Sequence, residues 1–197
     1  PYWDALRLLK REHTIVPSNT TNHFRPTIDD YRGAVAAVPQ GETAFLLKSN
    51  PCNPTGVTWT GDQLKELVEL FSDPTRGAIF DEAYEFFHSS PDSALRYVKD
   101  INNTNIFVIS AATKGLQAPG LRVGWVVSSR RNIELFRNFS SIAMGGVARP
   151  SQICASRLLS IDRVDHARRA IGTFYGAQRQ RYATALTRLG FELYTGE

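Results

Sequence analysis

The sequence has only two cysteines, Cys52 and Cys154, and they stand far apart without metal-ligand spacing. That speaks against a disulfide framework and against a zinc site, and it fits a reducing, cytoplasmic compartment. Long apolar runs are lacking too: nothing approaches the roughly 20 residues that a membrane-spanning helix needs. Pro1-Tyr2-Trp3-Asp4 does not have the basic-then-apolar order of a signal peptide, so no membrane partner is expected. Charge of one sign is scarce, since 23 Lys and Arg stand against 19 Asp and Glu. The formal net charge of +4 is spread along the chain apart from a mild arginine cluster between Arg163 and Arg188. This is too diffuse for a nucleic-acid footprint. Repeats, low-complexity tracts and Pro/Gly/Ser linkers are missing, and no G-x-G-x-x-G follows an early strand, which disfavours a nicotinamide-dependent dehydrogenase.

What is present is a chain of 197 residues, 42% hydrophobic, long enough to bury a sizeable core. Strand-like and helix-like segments alternate, which predicts an α/β fold with a mostly parallel sheet flanked by helices. The first strand is expected over 43–49, followed by the turn Asn50-Pro-Cys-Asn-Pro-Thr-Gly56. A helix is expected over 61–71, where Leu64, Leu67, Val68 and Phe71 recur at i, i+3, i+4 and i+7. Thr60 with Gln63 reads as its capping box, and Asp73-Pro74 as its stop. Further strands are expected over 77–80, running into Asp81-Glu-Ala-Tyr84, over 105–109, leading to Ser110 and Lys114, and over 120–127. Helical spacing recurs over 133–139, 153–159 and 162–189, the last open to a kink at Gly172 and Gly176. Met144-Gly-Gly146 reads as a turn before a helix.

Three strand ends thus deliver Asn53, Asp81 and Lys114, and the next strand carries Arg122. In open α/β sheets, ligands bind at the carboxyl ends of the strands. Each group alone has a plainer reading. A lysine after a strand is usually a solvated charge, Asp81-Glu82 could be a helix cap, and Asn53-Pro-Thr-Gly56 an ordinary turn. Glu82 reads as a surface or supporting residue rather than an acid catalyst. The scattered His13, His23, His88 and His166 suit surface or packing roles.

The segments Asn50–Gly56, Asp81–Tyr84 and Lys114-Gly-Leu-Gln-Ala-Pro-Gly-Leu-Arg-Val-Gly124 resemble, in order and spacing, three successive signatures of class I/II aminotransferases, the aspartate-aminotransferase-like enzymes of fold type I. The resemblance implies pyridoxal 5'-phosphate (PLP) as cofactor, held by Lys114 as a Schiff base, with Lys114 afterwards carrying a proton at the substrate α-carbon. It implies that Asp81 keeps the ring nitrogen charged. It further implies that Asn53 and Tyr84 hydrogen-bond the ring's phenolic oxygen, that Ala83 lies under the ring, and that Arg122 binds phosphate. Many relatives carry a hydroxyl residue three positions before the lysine; here that position is Ala111, and Thr113, or less readily Ser110, is the replacement phosphate contact. Catalytic roles are thereby assigned to Lys114, Asp81 and Tyr84, with no metal.

The family pattern also implies that residues 1–190 are part of a large PLP-binding domain and 191–197 the start of a smaller one. On that alignment the glycine-containing phosphate loop and the stacking aromatic lie upstream, so neither Tyr2 nor Trp3 is given the stacking role, and a carboxylate-clamping arginine lies downstream. A homodimer is implied, with the neighbourhood of Met144–Gly146 near the partner. The expected activity is amino transfer between an amino acid and a 2-oxo acid. Two alternatives stay open: a PLP-dependent lyase, synthase or cyclase of the same fold, and an aminotransferase-like effector-binding domain of a transcription regulator.

Overall fold

The computed structural model describes residues 2–194, which divide into two compact units between Glu42 and Thr43. The last residues of the expected small-domain start, 195–197, lie outside the described ones. In the first unit, α1 (Tyr2–Leu8) and α2 (Ile28–Ala36) are helices that the strand-and-turn reading passed over. Helix α2 opens on a true capping box: Thr27 Oγ1 accepts from the Asp30 N–H, and the Asp30 carboxylate accepts from the Thr27 N–H at 2.6 Å. The Thr27 N–H and hydroxyl, both donating to it, hold the Asp30 carboxyl below its ordinary range.

The second unit is built on a four-stranded sheet in the order β1 (Phe45–Ser49), β2 (Gly77–Asp81), β3 (Ile106–Ala111), β4 (Gly124–Val127). The first three strands are parallel and β4 is antiparallel to β3, so the expected mostly parallel α/β sheet is what forms. Helix α3 (Gly61–Phe71) makes the β1–β2 crossover. It buries Leu64, Leu67, Val68 and Phe71 as the spacing requires, each worth roughly 1.5–3 kcal/mol. Around them Ala78, Phe80, Ile106 and Val108 alternate into the same core.

Two expectations at element ends are corrected. Thr60 makes no side-chain cap of α3; the Gly61 N–H donates to Asp92 Oδ2 at 2.9 Å, so a carboxylate from a distant loop serves one of the orphan N–H groups of the helix start. The fourth strand is shorter than 120–127: residues Pro119–Leu121 form a 3-10 turn and Arg122 adopts a left-handed conformation (φ 52°), which extended pairing does not tolerate.

Beyond the sheet follow α4 (Arg130–Ala143), α5 (Arg149–Leu158) and α6 (Ile161–Arg188). Helix α6 runs unbroken through Gly172 and Gly176, since a lone glycine weakens a helix without ending it. Both cysteines are free thiols, and among the described residues no helix is long and apolar enough to cross a membrane.

Candidate functional site

Because β1, β2 and β3 are parallel, their carboxyl ends share one edge, and the register sets Ser49 beside Asp81 and Asp81 beside Ile109. Antiparallel β4 begins at that edge, with Gly124 paired to Ala111. The segments after β1, β2 and β3 and the residues before β4 therefore converge there, bringing Asn53, Asp81, Lys114 and Arg122 to that edge.

Each turn is fixed by its own bonds. The turn after β1 is closed by Gly56 N–H to the Cys52 carbonyl (2.7 Å) and Cys52 N–H to the Val57 carbonyl (2.9 Å). Gly56 adopts φ 73°, which an L side chain would oppose. Buried Asn50 staples the loop by a reciprocal pair with the Trp59 main chain: Nδ2 donates to its carbonyl at 2.9 Å and Oδ1 accepts from its N–H at 2.8 Å. The Asn50 N–H also donates to the Asp81 carbonyl at 2.8 Å, joining the first turn to the second. Asp81 is half-buried, and its Oδ1 accepts from the Ala83 N–H at 3.0 Å, a bond that aims the carboxylate.

Tyr84 bridges the other two turns. Asn53 Nδ2 lies 3.3 Å from its hydroxyl, and Lys114 Nζ stands 5.4 Å from the centre of its ring. Lys114 is exposed and begins a tight turn closed by Gln117 N–H to the Lys114 carbonyl at 3.1 Å. The residue after it has to be glycine: a Cβ on Gly115 would come within 2.9 Å of the buried Phe86 ring. Thr113 is half-buried beside Lys114, and Arg122 is exposed with Nη1 donating to the Pro119 carbonyl at 3.2 Å. Ser110 and Ala111 line a small void together with Ala83, Gly115 and Trp125. A groove of about 740 Å³ lies behind the first turn, lined by residues including Pro51, Phe87, Phe174 and Tyr182, and its lining includes none of Asp81, Lys114 and Arg122.

Glu82 is not a surface residue. It is 3% exposed, and Oε1 accepts from the Ala94 N–H at 2.7 Å. Burial pushes its carboxyl up from 4.5 to about 7, with the hydrogen bonds from Ala94 and Ser93 opposing and the nearby Glu85 and Asp92 carboxylates adding to the rise. Sequence reading missed this because the residue that encloses it is 12 positions away. Its one local signal is its place between Asp81 and Ala83, at the end of a buried strand. Among the described residues no group of three or more His, Cys, Asp or Glu side chains is disposed to hold a metal ion.

The sequence pattern of the family described as aminotransferase class I and II matches residues 1–197. Over 161 residues the chain is 34% identical to a histidinol-phosphate aminotransferase of Sinorhizobium fredii, an alignment covering 79% of this chain and 39% of that one. It is 28% identical over 187 residues to 1-aminocyclopropane-1-carboxylate synthase 6 of Arabidopsis thaliana, covering 89% of this chain and 37% of the relative. In three dimensions it is similar to an aspartate aminotransferase from Thermus thermophilus solved with maleate, with a TM-score of 0.85 and 20% identity over 99% of this chain and 50% of the other. The chain thus spans about two fifths of the length of these curated relatives.

Proposed function

We propose that this chain, which belongs to the aminotransferase class I and II family, is the cofactor-holding part of a PLP-dependent enzyme that transfers an amino group between an amino acid and a 2-oxo acid. The observation that carries the reading is the convergence on one sheet edge of an amine, a carboxylate, an amide–phenol pair and a guanidinium. Those donors suit PLP group by group. Asn53 and the Tyr84 hydroxyl, 3.3 Å apart, are close enough to meet on one phenolic oxygen. Asp81 offers a carboxylate to a ring nitrogen, and Arg122 a planar fork to phosphate oxygens.

Bound PLP supplies an electron-poor ring able to accept the electron pair left when a substrate α-carbon loses its proton. Lys114 Nζ would be the covalent anchor, and once free it would carry a proton from the substrate α-carbon to the cofactor, acting first as base and then as acid. Asp81 acts by charge: a negative group beside a protonated nitrogen raises its pKa and keeps the proton in place. Asn53 and Tyr84 would hold the ring through its oxygen, Ala83 would offer the ring a small apolar contact, and Thr113 would add a hydroxyl for the phosphate. The reading includes a homodimer, small amino-acid and 2-oxo-acid partners, and a cytoplasmic setting that suits the two free thiols.

A second reading, a lyase, synthase or cyclase using the same residues, is favoured by the similarity to the 1-aminocyclopropane-1-carboxylate synthase. Both begin with proton removal from the α-carbon, so Lys114 and Asp81 keep their roles.

The test is made on the intact protein. Wild type mixed with PLP should show a visible absorption band that borohydride traps as a covalent adduct on Lys114. Lys114→Ala should lose the adduct and at least about 10⁴-fold of turnover, the upper range for a positioned acid–base group. Normal turnover by Lys114→Ala overturns the assignment. Incubation with a panel of amino acids and a 2-oxo acid separates the two readings: a new amino acid supports transfer, whereas ammonia or a ring product supports the second.

A further inference from the structure

We infer that Glu82 is a positioning residue for the cofactor site, its enclosed carboxyl tying the strand end that bears Asp81 and Tyr84 to the turn at Ser93–Ala94. This rests on the functional reading above and extends it to a residue that touches none of the reacting groups.

Glu82 is held on three sides. Its N–H donates to the Ile109 carbonyl of β3 at 2.9 Å, its carbonyl accepts from the Glu85 N–H at 3.0 Å, and its side chain accepts from the fully buried Ala94 N–H at 2.7 Å. The first bond fixes the end of β2 against the strand that leads to Lys114. The second starts the 3-10 turn Glu85–Phe87, whose Phe86 ring supports Gly115. The third anchors the whole assembly to the turn Ala94–Tyr97, which packs on α3. A shift of Glu82 therefore moves Asp81, Tyr84 and the floor of the Lys114 turn together.

A glutamine would accept the same bond from Ala94 without burying a charge, so the carboxyl has a consequence that the bond alone does not. The charged and titratable groups around it come from each neighbouring element: Glu85 on the following turn, Asp92 before Ala94, and behind them Arg168 of α6 facing Glu85 and Arg96 with Tyr97 facing Asp92. Burial above all, with the two carboxylates adding to it, pushes the Glu82 carboxyl up to about 7. When ionised, the carboxylate strengthens the bonds it accepts from Ala94 and Ser93; when protonated, it must place a hydrogen among these donors. The grip on the turn therefore changes near neutral pH, and the cofactor site changes with it.

The experiment compares wild type, Glu82→Gln and Glu82→Ala in the intact protein. PLP dissociation constants are measured by equilibrium absorbance from pH 5.5 to 8.5, and melting of the PLP-free protein is followed over the same range. Wild type relative to Glu82→Gln should show a transition in PLP affinity of about fivefold or more centred near pH 7. Glu82→Ala should bind PLP at least about tenfold more weakly throughout. Without PLP, the melting temperature of wild type minus that of Glu82→Gln should fall as pH rises through 7. The sign follows because the folded-state value of about 7 exceeds the ordinary 4.5, so ionisation opposes folding.

Identical pH profiles for wild type and Glu82→Gln, in binding and in melting, overturn the inference. So does wild-type affinity in Glu82→Ala. Should Glu82→Ala fail to fold, the Glu82→Gln profiles still decide. If wild type forms no lysine adduct with PLP, the functional reading fails instead, and the PLP-free melting difference reports on Glu82 separately.

Discussion

At the scale of single residues, the site depends on which bonds each group has already made. Asp81 uses Oδ1 on the Ala83 N–H, and its main chain on Asn50, so the carboxylate is aimed before any cofactor arrives. Asp81→Asn keeps an oxygen for Ala83 and removes only the charge. We expect PLP affinity to fall by no more than about tenfold, while the rate of α-proton removal falls on the order of 10²–10³-fold, as for other fixed electrostatic groups. Single-turnover spectroscopy on the intact protein checks this, and an unchanged rate means that the ring nitrogen has another partner. Glu82 poses the opposite case, a charge that opposes folding on the order of 3 kcal/mol at high pH for a shift of this size. Its value lies in the connection it makes between turns.

Secondary-structure elements contribute by holding turns that are not adjacent in sequence. Three parallel strands place their turns on one edge, and the contacts between those turns set the fine geometry: Asn50 to Asp81, Asn53 to Tyr84, Phe86 to Gly115. Gly115→Ala tests the last of these. The added Cβ would meet Phe86 at 2.9 Å, and Phe86 is enclosed, so the Lys114 turn must lift. We expect a loss of stability of about 1–3 kcal/mol and at least a tenfold weaker hold on PLP, read by denaturant melts and by cofactor titration. Wild-type behaviour in both would mean that the turn has slack. The same logic explains the cap of α3. Asp92 is held below its ordinary range because hydrogen bonds from Tyr97, Gly61 and Arg96 together outweigh the burial that raises it, and it serves the helix from 31 residues away.

For the whole molecule, the question is what covers the apolar side chains left in solvent. On α4 and just beyond it, Phe139 is 63% exposed, Ile142 90% and Met144 78%. Apolar groups this exposed call for cover, and in the proposed homodimer a second copy would supply it. We expect the intact protein to sediment as a dimer at micromolar concentration. Ile142→Glu should weaken the dimer at least tenfold, since burying one such side chain is worth roughly 1.5–3 kcal/mol. A monomer at every concentration would remove the homodimer from the proposal.

From residue 43 onward the sequence by itself determined most of the strands and helices and the polar turns between them, though not α1 and α2. Strand runs, the spacing of Leu64, Leu67, Val68 and Phe71, and the Pro, Asn and Gly of the turns are set by neighbours a few positions apart, so Asn53, Asp81 and Lys114 could be assigned to strand ends directly, whereas Arg122, expected within the fourth strand, precedes it. Only the tertiary structure decided the rest, because it turns on partners 12 to 31 residues away. The Ala94 N–H meets Glu82, Asp92 serves the first N–H of α3, and Phe86 dictates a glycine after Lys114. Periodicity carries no record of such pairings: the energy of a buried charge or a close ring contact depends on what the folded chain brings beside it.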